Sequence, residues 1–128
     1  MKEKCRLKIK TRTGPAGDSL TETEGRYYDR DGRHHVLFDV DGDRCRLEFD
    51  EEQLTYHRQG ALSYSLKLKA GEKSDTGMVT PYGSTRLEYL VQGYTMEQAG
   101  SRISINTSYS ISEEICDMKI EIIKENKT

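Results

Sequence analysis

The chain has 128 residues, enough for one core of ordinary size, and a formal net charge of −2, which gives no bias toward nucleic acid or anionic lipid. Hydrophobic residues make up 34% and charged residues 33%, a lean balance, yet β-branched residues and 8 tyrosines argue against disorder. No apolar run is long enough for a signal segment or a spanning helix, so a cytoplasmic location without membrane contact is expected.

Taken in chain order, the first signal is an unbroken alternation from Lys4 to Thr13. Cys5, Leu7 and Ile9 fall on one parity, and Lys4, Arg6, Lys8, Lys10 and Arg12 on the other, which predicts a strand with one buried and one wet face. Gly14 to Asp18 reads as a loop, and Thr21–Tyr28 as a second strand with Thr21, Thr23 and Tyr27 on one face. Asp31-Gly32 is a strong hairpin signal into Arg33–Val40, and Asp41-Gly42-Asp43 gives another into Arg44–Phe49. Asp50 to Gln53 is ambiguous between a connection and one capped helical turn, followed by a short strand, Leu54–Arg58.

Leu62, Tyr64, Leu66 and Leu68 recur at every second position and predict a strand ending at the turn Gly71-Glu72-Lys73. Thr80-Pro81-Tyr82-Gly83 predicts a corner, because proline fixes its own φ and pushes the preceding residue toward extended geometry. Beyond it Thr85, Leu87, Tyr89 and Val91 alternate with Arg86 and Glu88. Thr95 to Gln98 is read as a loop with at most one helical turn, Arg102–Ser112 and Ile115–Ile123 as strands, and Lys124 to Thr128 as a polar tail. The fold class is therefore all-β: a single antiparallel up-and-down β-barrel domain over residues 1–128, with about 8–10 strands. Closure removes the exposed edges that an open meander would leave.

Gly25-Arg26-Tyr27-Tyr28 followed by Asp31-Gly32, then Arg58-Gln59-Gly60, then Thr80-Pro81-Tyr82-Gly83, resemble the recurrent motifs of the YwiB-like bacterial family of unknown function, over nearly the whole chain. The resemblance implies a calycin-like (lipocalin-like) barrel. The chain departs from that pattern at Phe38-Asp39-Val40, where relatives tend to carry Tyr-x-Glu, and at Met78-Val79, where they tend to carry a tyrosine before Thr-Pro.

Candidate chemistry is sparse. Cys5, Cys45 and Cys116 are widely spaced, include no Cys-x-x-Cys, and share parity with apolar residues, so reduced, buried, structural thiols are expected. His34 and His35 are adjacent and so point to opposite faces of a strand, while His57 lies on another strand; no metal site and no cofactor are expected. No serine sits in a Gly-x-Ser-x-Gly elbow and no carboxylates are spaced to share a site, which favours a non-enzymatic protein. An enzyme would need residues that converge only in three dimensions.

Tyr27, Tyr64, Tyr89 and Tyr109 share parity with inward apolar residues, and hydroxyls inside a barrel need partners or a ligand. Tyr82, at a rigid corner beside Thr80, is a rim candidate, and the resemblance alone singles out Arg58 as its charged neighbour. The expected function is binding of a small, partly polar ligand, or of a partner, at the barrel rim. The alternative is a protein- or RNA-interaction module using the basic face of the first strand, although Glu22, Glu24, Asp117 and Glu121 have the parity to pair with that face, and nucleic acid is not the expected partner.

Overall fold

Each alternating run becomes a strand in the computed structural model, which describes residues 2–13 and 17–125. The strands are β1 (Glu3–Thr13), β2 (Gly17–Arg30), β3 (Arg33–Val40), β4 (Asp43–Phe49), β5 (Gln53–Gln59), β6 (Tyr64–Lys69), β7 (Lys73–Thr80), β8 (Gly83–Ala99), β9 (Arg102–Ile111) and β10 (Glu114–Lys124). All belong to one antiparallel sheet in the order β6-β5-β4-β3-β2-β1-β10-β9-β8-β7. Sequence neighbours are sheet neighbours except β6 and β7, which stand at the two ends of the order, and β1 pairs with β10 to bring the two ends of the chain together.

Alternation fixes the register. Cys5, Leu7 and Ile9 are buried and the intervening cations exposed, because a one-residue slip would turn those charges into the core. The cations meet acids instead: Lys4 with Glu24 (3.7 Å), Lys8 with Glu22 (3.8 Å), Arg12 with Asp18 (3.7 Å) and Arg6 with Glu125 (3.2 Å). The three cysteines are buried and unpaired. Cys5 lies opposite Lys124 and Cys116 opposite Thr13, so β1 and β10 hold these two thiols far apart along the pair.

Turn chemistry follows the sequence at Asp31-Gly32 (φ 54° and 78°) and Asp41-Gly42 (φ 51° and 85°), both with the left-handed pair that a type I′ hairpin turn requires. The Ser112-Glu113 turn takes the same shape (φ 50° and 70°) without a glycine.

Three expectations change. The stretch Thr95–Gln98 is strand rather than loop: a bulge between Val91 and Gly93 resets the parity, so Tyr89 and Val91 point inward before it and Tyr94 and Met96 after it, and β9 pairs along the whole length. The segment from Asp50 to Gln53 is not helical. The Asp50 carboxylate does accept the amides of Glu52 (2.9 Å) and Gln53 (3.0 Å), but the chain then enters β5 directly. β2 begins at Gly17, inside the expected loop; the rest of that loop, residues 14–16, lies outside the described residues, as does the tail beyond Glu125.

The barrel wall is nearly closed. Between β6 and β7 the ladder is reduced to one bridge, Ser63 with Val79, exchanging two hydrogen bonds of 2.9 Å. Farther along that seam side chains take over. The Ser65 amide donates to Thr76 Oγ1 (3.4 Å), and the Tyr89 hydroxyl accepts the Lys67 amide (2.8 Å) and donates to the Lys67 carbonyl (3.1 Å).

Candidate functional site

In a meander, alternate connections gather at the same end, so the β3–β4, β5–β6, β7–β8 and β9–β10 connections share one rim. The motif residues Arg58 and Gly60 sit at that rim for a common reason. Asp43, the first residue of β4, is buried, and its carboxylate accepts Arg58 Nε (2.8 Å) and the amides of Ala61 (2.9 Å) and Leu62 (3.3 Å). A Cβ at residue 60 would land on that carboxylate, so glycine is required by space rather than by φ. The hydrogen bond from Arg58 holds the Asp43 carboxyl below the usual carboxylate range against the opposing effect of desolvation, with the two amides adding to it. Arg58 is thus paired with Asp43 rather than with Tyr82.

Tyr64 pairs across from Arg58 and stacks on Tyr56 at 5.8 Å, and Tyr56 Oη approaches Cys45 Sγ at 3.7 Å. Tyr89 and Tyr109, both buried, meet edge to face at 6.2 Å. Tyr27 is at the opposite end of the barrel, its hydroxyl 2.6 Å from His34 Nδ1 and its ring under Lys124 Nζ at 4.9 Å. The Thr80 hydroxyl ties the β7–β8 turn, accepting the Tyr82 amide and donating to the Gly83 carbonyl, each at 3.1 Å. The Tyr82 side chain is 98% exposed. The structure therefore brings Arg58, Tyr64, Tyr89 and Tyr109 into one half of the interior, puts Thr80 and Tyr82 on the adjoining rim, and leaves Tyr27 apart.

Just outside that rim, across β4 to β7, runs a cleft of about 530 Å³. Arg44, Arg46, His57, Arg58, Ser63, Tyr64, Ser65 and Thr76 line it with Val79, and among the described residues no carboxylate does. Arg46, His57 and Ser65 form one row across three neighbouring strands, all on the outward parity. His57 Nδ1 lies 2.9 Å from Ser65 Oγ, and its Nε2 lies 3.9 Å from Glu48 Oε1. Glu48 is held in turn by Arg46 at 2.9 Å. Burial, and then the Arg46 charge, push the His57 pKa down, with Glu48 opposing. Among the described residues Arg44 makes no ion pair, although Asp39 stands opposite it on β3. A would-be Cβ at Gly77 meets nothing within 4 Å, so the cleft stays open on the β7 side.

Sequence reasoning did not find this row. Residues 46, 57 and 65 show no motif spacing; only the hairpin lengths on either side of β5 place them side by side. Counting outward parity back from the Asp41-Gly42 turn would have been the one available signal.

Fold and closure define a ten-stranded antiparallel up-and-down β-barrel protein. Residues 6–121 match the family described as Domain of unknown function (DUF1934), and the chain belongs to that family. The chain is also similar to the crystal structure of the ywiB protein from Bacillus subtilis, with a TM-score of 0.86 and 14% identity over 98% of this chain and 94% of that chain, a likeness that shows the fold alone. No curated protein matches the chain.

Proposed function

We propose that this barrel binds a small, polar, anionic molecule in the cleft beside its rim. The observation that carries the reading is the lining: Arg44, Arg46, Arg58 and His57 with hydroxyls from Ser63, Ser65 and Thr76, and no carboxylate among them. Guanidinium groups in a forked geometry suit carboxylate or phosphate oxygens, and hydroxyls satisfy the remaining lone pairs. Arg44 is the group free to engage first, since Arg46 and Arg58 already hold Glu48 and Asp43. Val79 lines the cleft and leads into the Thr80–Gly83 turn, and in this reading the exposed Tyr82 of that turn is the side chain that covers an occupant. Three unpaired buried thiols favour a reducing compartment such as the cytoplasm. A nucleic-acid stripe on β1 has less support, because its cations face acids across the neighbouring strands.

The test is calorimetric titration of the full chain with inorganic phosphate and with pyrophosphate. Saturable binding that Arg44→Ala and Arg46→Ala each weaken at least tenfold is the expected result. No saturable heat, or binding unchanged in both variants, overturns the reading.

A further inference from the structure

We propose that the same cleft hydrolyses a small anionic ester, with Ser65 as nucleophile and His57 as its base; the choice of an anionic substrate rests on the binding reading above.

Ser65 Oγ and His57 Nδ1 are 2.9 Å apart, inside the range a base needs to take a hydroxyl proton. A third group stands behind the ring, Glu48 at 3.9 Å from Nε2, which is ion-pair reach and longer than a hydrogen bond. Such bonds are often long without substrate and tighten when it binds. Nucleophile, base and orienting carboxylate are recognised by geometry and role rather than by chain order. Here the ring is used in the reverse sense, Nδ1 toward the serine. Arg46 fixes Glu48 at 2.9 Å and lies on the far side of His57 from Ser65, in the same row.

The surroundings of the ring favour its uncharged form. Burial and Arg46 lower the His57 pKa while Glu48 opposes them, and the uncharged imidazole is the form that accepts a proton. Ser65 is exposed at the cleft surface, so its oxygen is open to an incoming carbonyl. Arg44, which makes no ion pair among the described residues, is the positive charge in the cleft available to the substrate's own anion.

The step balances as an ordinary acyl transfer. Ser65 Oγ bonds to the ester carbonyl carbon and passes its proton to His57 Nδ1. The carbon–oxygen bond to the leaving alcohol breaks, and the alcohol departs with the proton from His57. Water, deprotonated by His57, then attacks the acyl-serine, releasing the carboxylic acid and restoring the Ser65 hydroxyl. No metal or redox partner takes part.

The full chain is treated with a fluorophosphonate, which loses fluoride as a serine oxygen bonds to phosphorus. The adduct is located by intact mass and peptide mapping, and turnover of 4-nitrophenyl acetate is followed in parallel. The expected result is an adduct on Ser65, forming at least tenfold faster than in His57→Gln, with ester turnover lost in both Ser65→Ala and His57→Gln. Both positions lie on the outer wall, and circular dichroism of each variant checks that the barrel is intact. An unmodified Ser65 in the wild-type chain, or equal modification in folded His57→Gln, overturns the inference. Phosphate binding separates the two readings. Wild-type protein that binds phosphate but leaves Ser65 unmodified defeats hydrolysis alone, and modification of Ser65 without phosphate binding defeats the anion reading alone.

Discussion

The Tyr89 hydroxyl occupies the place of a missing strand, taking the Lys67 amide at 2.8 Å and giving its own proton to the Lys67 carbonyl at 3.1 Å. Both Lys67 groups face β7 at a point where β7 no longer pairs with β6. A buried phenol is therefore part of the wall. Tyr89→Phe keeps the ring and its contact with Tyr109 but leaves a donor and an acceptor without partners. The expected cost is about 1–3 kcal/mol, read from the urea midpoint. Hydrogen exchange at the Lys67 amide should accelerate well beyond that of its neighbours. Unchanged protection there would show that the seam is held some other way.

Gly60 and Asp43 form a second interlocked pair. Gly60→Ala should destabilise by about 1–3 kcal/mol, because the methyl group must displace the carboxylate that Arg58, Ala61 and Leu62 hold. The carboxyl pKa is lower in the folded chain than the unfolded value of about 3.9, so its contribution is present above pH 4 and is lost as pH falls through the folded pKa. Asp43→Asn should flatten that acid limb of the stability profile, as chemical denaturation between about pH 5 and pH 2 would reveal. A limb identical to that of the wild type would remove Asp43 from the account.

The Ser112-Glu113 turn places two side-chain-bearing residues at positive φ, a conformation that costs L-residues roughly 1–2 kcal/mol each. Replacing the pair by Asn-Gly, as in the favoured hairpin turns, should stabilise the chain by about 1 kcal/mol and raise its melting temperature by a few degrees. A lowered melting temperature would mean that Ser112 or Glu113 supplies something beyond the turn.

Tyr82 offers the opposite case. With 98% of its surface exposed it contributes no packing, and Tyr82→Ala should leave stability within about 0.5 kcal/mol of wild type. Under the proposed function the same change weakens phosphate binding. A loss of several kcal/mol on truncation would place the ring inside the barrel.

His34 and His57 both titrate below their ordinary value, chiefly because burial disfavours the charged ring. Below about pH 6.5 the unfolded chain takes up protons at these positions before the folded chain does. Stability should therefore decline as pH falls from 6.5 and stop responding to these groups below their folded pKa values. His34→Gln should reduce that slope, measured as urea midpoints at pH 7.5 and pH 5.5. A midpoint that rises on acidification would reverse the sign of the argument.

Most of the wall was readable from the chain alone. A strand's period of two admits one burial solution, so Cys5-Leu7-Ile9, Cys45-Leu47-Phe49 and Ile103-Ile105 declared their inner face locally, and Asp31-Gly32 and Asp41-Gly42 declared the hairpins between them. Local pattern failed beside Gly93, where one extra residue reverses the parity, and at Thr95–Gln98, whose cap-like spacing before Gly100 read as loop with at most one helical turn. What only the tertiary structure decided were relationships across strands. Asp43 reaches Arg58 and fills the space over Gly60, Tyr89 mends the seam at Lys67, and Arg46, His57 and Ser65 fall into one row. Each depends on register summed over several hairpins, and a side chain's chemistry in a sheet is set by the neighbours on the adjoining strands, which no spacing along the chain records.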